Sequence, residues 1–176
     1  MIEGNPHCES ELKKINDNYT IALLSDEVKE VDFYTLKNDL TATGASYYKE
    51  NTDVYDDDKD VLVIKRKTQR LDDLFEEDSV FDLIKLDTQG SEIDILKGGL
   101  NILKKSTIVI IEADIGTGAN KIGYNQGAPN KSDVIYFMHK NNFKEIGVVD
   151  QLFLFYPDGN SEAMQQDLIF VNEEKI

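Results

Sequence analysis

Phe81-Asp82-Leu83-Ile84-Lys85-Leu86-Asp87, followed by Thr88-Gln89-Gly90-Ser91-Glu92, is the stretch whose reading decides the fold. Its first half is a strand whose apolar residues run into a terminal aspartate. Its second half turns and opens a helix: Ser91 and Asp94 stand at capping-box spacing, and Ile93, Leu96, Leu100 and Leu103 recur on one helical face. Gly98-Gly99 is expected to kink or divide that helix. Two carboxylates, Asp87 and Glu92, thus meet at one strand-to-helix corner, with Gly90 permitting a sharp turn or a close approach.

The same alternation continues on both sides. Downstream, Thr107-Ile108-Val109-Ile110-Ile111 is the most hydrophobic strand candidate and also ends in a carboxylate, Glu112. A loop over 116–131, a helix over 132–142 and strands over 143–149 and 152–156 follow, with Pro157-Asp158-Gly159 as a turn. Leu168-Ile169-Phe170-Val171 closes the sheet antiparallel to its neighbour, because no crossover helix precedes it.

Upstream, Asn5-Pro6 with Glu9, Glu11, Leu12 and Ile15 reads as a helix opening after a turn. Tyr19-Thr20-Ile21-Ala22-Leu23-Leu24 reads as a buried parallel strand, and 31–36 as another. Residues 61–67 are β-rich and should pair with an earlier strand, and 71–75 suggest a short helix. Residues 37–60 read as a long loop, a lid or a disordered segment. Asp56-Asp57-Asp58 inside it lacks the alternating ligands and glycine of a calcium loop, which makes it a solvated acidic run. The outline is α/β, an open and mostly parallel sheet with an antiparallel C-terminal strand, built as a single domain over residues 1–176. Ligands of such sheets sit beyond the carboxyl ends of the strands, which draws attention to Asp87 and Glu112.

Composition narrows the classes. Acidic residues outnumber basic ones 34 to 19, for a net charge of −15. Binding to nucleic acid or to an anionic membrane depends on Lys and Arg, so neither is expected. Cys8 is the only cysteine, so no internal disulfide or Cys-based zinc site can form. No apolar run approaches the length of a membrane span, and the first residues lack the basic and apolar regions of a signal peptide. A cytoplasmic protein is the expectation. His7 and His139 have no metal-ligand spacing around them.

By chemistry alone, the Asp87–Glu92 corner could hold a cationic or polyhydroxyl ligand, take a proton from a nucleophile, or be two solvated turn carboxylates. Lys85-Leu86-Asp87-Thr88-Gln89-Gly90-Ser91-Glu92 with Ile95-Leu96-Lys97-Gly98 resembles the signature of FkbM-type methyltransferases. Ile2-Glu3-Gly4-Asn5-Pro6 is similar to the end of that family's second strand, with glycine where proline is usual. Ala22-Leu23-Leu24-Ser25-Asp26 resembles the close of its third. Leu71-Asp72-Asp73-Leu74, Tyr124-Asn125-Gln126-Gly127-Ala128-Pro129 and Gln166-Asp167-Leu168-Ile169-Phe170-Val171 continue the resemblance in order.

The resemblance implies a Rossmann-like class I methyltransferase sheet and S-adenosylmethionine as methyl donor. It implies that Glu3 accepts from the ribose hydroxyls, that Ser25 and Asp26 lie near the adenine, and that Asp87 lies near the amino acid portion and sulfonium. Glu92, Glu112, Tyr124 and Asn125 would face the acceptor, a small-molecule or glycan hydroxyl, with Asp87 or Glu92 as the catalytic base. Family members also open with a strand and a glycine-rich turn, and nothing before Met1 supplies them. Gly116-Thr117-Gly118-Ala119-Asn120 is no substitute, having no helix directly after it. The expectation is a partial domain with an unpaired edge where that central strand belongs. Either the natural gene is longer, a partner supplies the strand, or the domain has rearranged and lost the cofactor. The alternative function is a non-catalytic interaction module; a nicotinamide-dependent dehydrogenase would need the G-x-G-x-x-G turn that is absent here.

Overall fold

The most apolar segment of the chain forms the centre of its largest sheet. In the computed structural model, which describes residues 1–52, 55, 59–115, 125–155 and 159–176 and only the backbone of Leu154, strand β6 (Ile108–Asp114) is paired on both edges. One edge pairs in parallel with β5 (Leu83–Leu86), and the other antiparallel with β8 (Ser161–Asn172). β7 (Phe143–Phe155) completes the order β5-β6-β8-β7. Alternation along β6 buries Val109, Ile111 and Ala113 on one face and sends Glu112 to the other.

Against the buried face lie α2 (Glu92–Gly98) and α3 (Leu100–Lys105), divided at Gly99, and α4 (Lys131–Lys140). Leu96, Leu103 and Met138 are fully buried there with Leu168 and Phe170 of β8. The apolar period of 93–103 therefore does what an amphipathic stripe does, removing its face from water at about 25 cal/mol per Å². Gly98 has a packing reason: a Cβ there would lie 2.1 Å from the Ser25 carbonyl oxygen.

Two smaller pairings complete the described elements. β1 (Ile2–Glu3) pairs in parallel with β2 (Thr20–Ile21), and α1 (Glu9–Ile15), preceded by a 3-10 turn at Pro6–Cys8, connects them. The 19–24 run is a ladder strand only at Thr20–Ile21. Beyond it the bonding passes to another partner: the Gln69 amide donates to the Leu23 carbonyl and the Ser25 amide to the Gln69 carbonyl. β3 (Glu30–Leu36) pairs antiparallel with β4 (Val61–Lys67), so the 61–67 segment does pair with an earlier strand.

A mostly parallel sheet is not what forms. Of the five strand pairings among the described residues, two are parallel. The reason lies at the C-terminus, where a hairpin return inserts β8 between β6 and β7 and makes both of its pairings antiparallel. The antiparallel final strand is as expected. The two strands expected over 143–156 are one 13-residue strand with three register shifts.

Among the described residues β1 and β5 each have one hydrogen-bonded neighbour strand, and residues of both line a single cavity. With one edge uncovered, Leu83 is 54% exposed although it lies in a strand of apolar sequence. Among the described residues no helix is long and apolar enough to cross a membrane. Asp56-Asp57-Asp58 and the 116–120 glycine loop lie outside the described residues.

Candidate functional site

β5 delivers Asp87 to the corner, and the next three residues make the turn. Gln89 and Gly90 both adopt positive φ, +54° and +98°. Glycine does this without strain, whereas glutamine carries a steric cost that the surroundings must offset. Gly90 is also hemmed in: a Cβ would sit 2.6 Å from Ala128 Cβ. Ser46 Oγ donates to the Gln89 carbonyl at 2.9 Å, tying the 42–50 segment over the turn.

The capping box expected from Ser91 and Asp94 does not form. Ser91 Oγ instead donates back to the Thr88 carbonyl at 3.0 Å. Glu92 takes over the satisfaction of the turn, its Oε1 accepting from the Thr88 amide at 2.8 Å, Thr88 Oγ1 at 3.0 Å and the Gly90 amide at 3.2 Å. Asp94 is engaged elsewhere, accepting from Tyr48 Oη at 2.8 Å and pairing with Lys97.

Two cavities flank the corner. The larger, 340 Å³, runs between β1 and β5 and is lined by Glu3, Leu24, Phe81, Leu86, Asp87 and Thr88 among others. The smaller, 230 Å³, opens on the acidic side of the sheet, where Asp87, Glu112, Asp150 and Asp167 meet Lys85, Gln165 and Gln166. Asp87 and Lys85 line both. Lys85 Nζ lies 3.2 Å from Asp87 and 3.1 Å from Asp167. The Asp167 hydrogen bond, more than that of Asp87, holds the ammonium above its ordinary pKa while burial pulls it down.

The expected site residues divide into three groups. Glu3 and Asp87 share the larger cavity; Glu3 Oε1 accepts the Asn5 amide at 2.7 Å and its Oε2 has no partner among the described residues. Asp87 and Glu112 share the smaller one. Ser25, Asp26, Glu92 and Asn125 line neither. Ser25 is fully buried, its Oγ donating to Asp26 at 3.0 Å and lying 3.3 Å from Tyr47 Oη. Asp26 pairs with Lys29 at 2.7 Å, and that hydrogen bond lowers its pKa. Asn125 is buried behind Gly90, donating its amide to Asp114 and its side chain to the Tyr48 carbonyl, with Oδ1 unpartnered. Tyr124 lies outside the described residues.

The role assigned by sequence to Glu92, a base for the acceptor, does not suit its surroundings. It is 5% exposed, and burial raises its pKa against the opposing effect of its turn hydrogen bonds. Its oxygen is occupied in holding the backbone. Sequence reading gave no role to Gln89, whose Nε2 donates to Glu112 Oε2 at 3.0 Å and lies 3.4 Å from Asp87 Oδ1. The signal available was its place between the strand-end aspartate and the glycine. Among the described residues no group of His, Cys, Asp and Glu is arranged to hold a metal ion. Cys8 is part-buried, and burial, with Glu3 and Asp39 beside it, pushes its thiol up and away from reactivity.

A family model described as the methyltransferase FkbM domain matches residues 1–145. No curated protein and no solved structure matches the chain.

Proposed function

The chain belongs to the methyltransferase FkbM family, and from that premise we propose that it transfers a methyl group from S-adenosylmethionine to a hydroxyl oxygen of a sugar, glycan or natural product. The observation that carries the reading is Asp87, which follows β5 and lines both cavities. A methyl donor on one side and an acceptor on the other would meet across it.

The residues suit the donor by their chemistry. Glu3, with one carboxylate oxygen unengaged among the described residues, lines a cavity with Leu24, Leu86 and Phe81, a combination of polar and apolar lining that fits a nucleoside. Asp87 offers negative charge where a sulfonium would rest. When bound, S-adenosylmethionine supplies an electrophilic methyl carbon. The protein's part is to orient it against the acceptor and exclude water, which can account for several kcal/mol of the barrier.

The two parallel pairs β1-β2 and β5-β6, whose strands β1 and β5 line one cavity, fit a Rossmann-like sheet interrupted between them. A cytoplasmic setting belongs to the same reading. The test is isothermal titration with S-adenosylhomocysteine. Wild type should bind, and Glu3→Ala should weaken binding about 10- to 100-fold, as expected for losing a charged hydrogen-bond acceptor. No heat from either protein would remove the proposal. The non-catalytic reading draws on the edges of β1 and β5 that have no strand partner among the described residues, and it predicts that silence from a fully folded chain.

A further inference from the structure

Gln89 is a non-glycine residue held at φ +54°, a conformation that persists only where the surroundings impose it. The turn uses its backbone carbonyl as the acceptor for Ser46, and Gln89, which lines the larger cavity, reaches with its side chain to Glu112 of the smaller one. There its Nε2 and that of Gln165, a residue 4% exposed, both donate to Glu112 Oε2, at 3.0 and 3.2 Å. Two amides thus fix one carboxylate oxygen. Glu112 Oε1 accepts no hydrogen bond from the described residues, and Glu112 lines the cavity beside Asp87.

We propose that Glu112 is the base that takes the acceptor's hydroxyl proton, and that Gln89 is the positioning residue that holds it beside Asp87. The proposal rests on the methyltransferase reading and assigns the proton that this reaction must dispose of. Its rivals are occupied: Glu92 satisfies the turn, and Asp87 is ion-paired with Lys85. As the acceptor oxygen bonds to the sulfonium methyl carbon, the carbon–sulfur bond breaks with its electron pair going to sulfur. The O–H proton passes to Glu112 Oε1. Charge balances, since a cationic sulfonium becomes a neutral thioether and a carboxylate becomes a carboxylic acid.

The charged groups acting on Glu112 are Asp87 from the turn, Glu92 from α2, Asp167 from β8 and Lys85 from β5, and Asp150 of β7 lines the same cavity. Burial first, then Asp87, Glu92 and Asp167, push its pKa up to about 8 against the pull of Lys85. A carboxylate of that basicity accepts a hydroxyl proton in the transition state better than an ordinary one.

The experiment follows the Glu112 carboxyl by carbon-13 NMR in glutamate-labelled protein, with Glu112→Gln giving the assignment. A midpoint near 8 is expected in wild type. Gln89→Gly keeps the positive-φ turn and removes the amide. It should move the midpoint upward, because a lost donor disfavours the charged form. Tritiated methyl transfer to a panel of monosaccharides and polyols should rise about tenfold per pH unit up to that midpoint, and fall ~10²–10⁴-fold in Glu112→Gln while S-adenosylhomocysteine affinity holds. Titration in the ordinary carboxylate range, a midpoint unmoved by Gln89→Gly, or no transfer by a wild type that binds S-adenosylhomocysteine overturns the assignment. Failure of wild type to bind S-adenosylhomocysteine defeats the underlying methyltransferase reading instead.

Discussion

The Glu92 carboxylate accepts the Thr88 amide at 2.8 Å, closing the Asp87 turn from the helix that follows it. The same oxygen also takes the Thr88 hydroxyl and the Gly90 amide. One buried side chain therefore settles the donors of a turn that the expected serine cap leaves unserved.

Replacing that side chain separates support from catalysis. Glu92→Ala should destabilise the fold by about 2–4 kcal/mol, since buried donors are left without an acceptor. Glu92→Gln keeps a carbonyl oxygen in place and should cost about 1 kcal/mol or less. Urea denaturation gives both values. A stable Glu92→Ala protein would show that the turn stands without this carboxylate.

Gly98→Ala puts two principles in opposition. Helix propensity favours alanine by about 1 kcal/mol. The added methyl would meet the Ser25 carbonyl oxygen at 2.1 Å, and a backbone atom cannot swing aside. Destabilisation of about 2–4 kcal/mol is the expected outcome in thermal or urea melts. Any gain in stability would mean that the 25–26 segment does not lie against α2 as described.

Ser25 and Glu3 were expected to share the cofactor, yet only Glu3 lines the cavity. Ser25→Ala should leave S-adenosylhomocysteine affinity within about twofold and lower stability by about 1 kcal/mol through its lost hydrogen bonds to Asp26 and Tyr47. Parallel titrations of the Glu3→Ala and Ser25→Ala proteins decide it. A large loss of affinity from Ser25→Ala would bring that hydroxyl back into the binding site.

Stability should depend on pH through Glu112. Its pKa is raised from an ordinary 4.5 to about 8, so the folded state retains a proton that the unfolded chain releases. That contribution is complete below about pH 4.5 and is lost as pH rises through about 8. Asp26, lowered by Lys29, acts oppositely: its contribution is present above its ordinary 3.8 and disappears as pH falls below it. Urea midpoints should decline from about pH 5.5 to about pH 8.5, and Glu112→Gln should flatten that decline. Equal slopes in the two proteins would count against a half-buried, protonated Glu112.

Much of the architecture was legible from local pattern. The apolar run at 108–111, the helical stripe from Ile93 to Leu103 and its division at Gly98-Gly99 are each set by residues adjacent in sequence, where burial preference and backbone freedom act directly. Asp87 at a strand end was legible for the same reason. Strand order was not, because whether β8 lies beside β6 or beyond β7 depends on contacts far apart in the chain.

The sequence by itself determined the α/β alternation, the family signature around Asp87 and the acidic balance, since these are properties of residue type and short spacing. Only the tertiary structure decided which carboxylate does what. Glu92 is turned to the backbone, while Glu112, twenty residues further on, comes under Gln89 because parallel pairing sets β6 beside β5. A carboxylate's role depends on burial and on the donors that surround it, and those are fixed by the fold rather than by its neighbours in the chain.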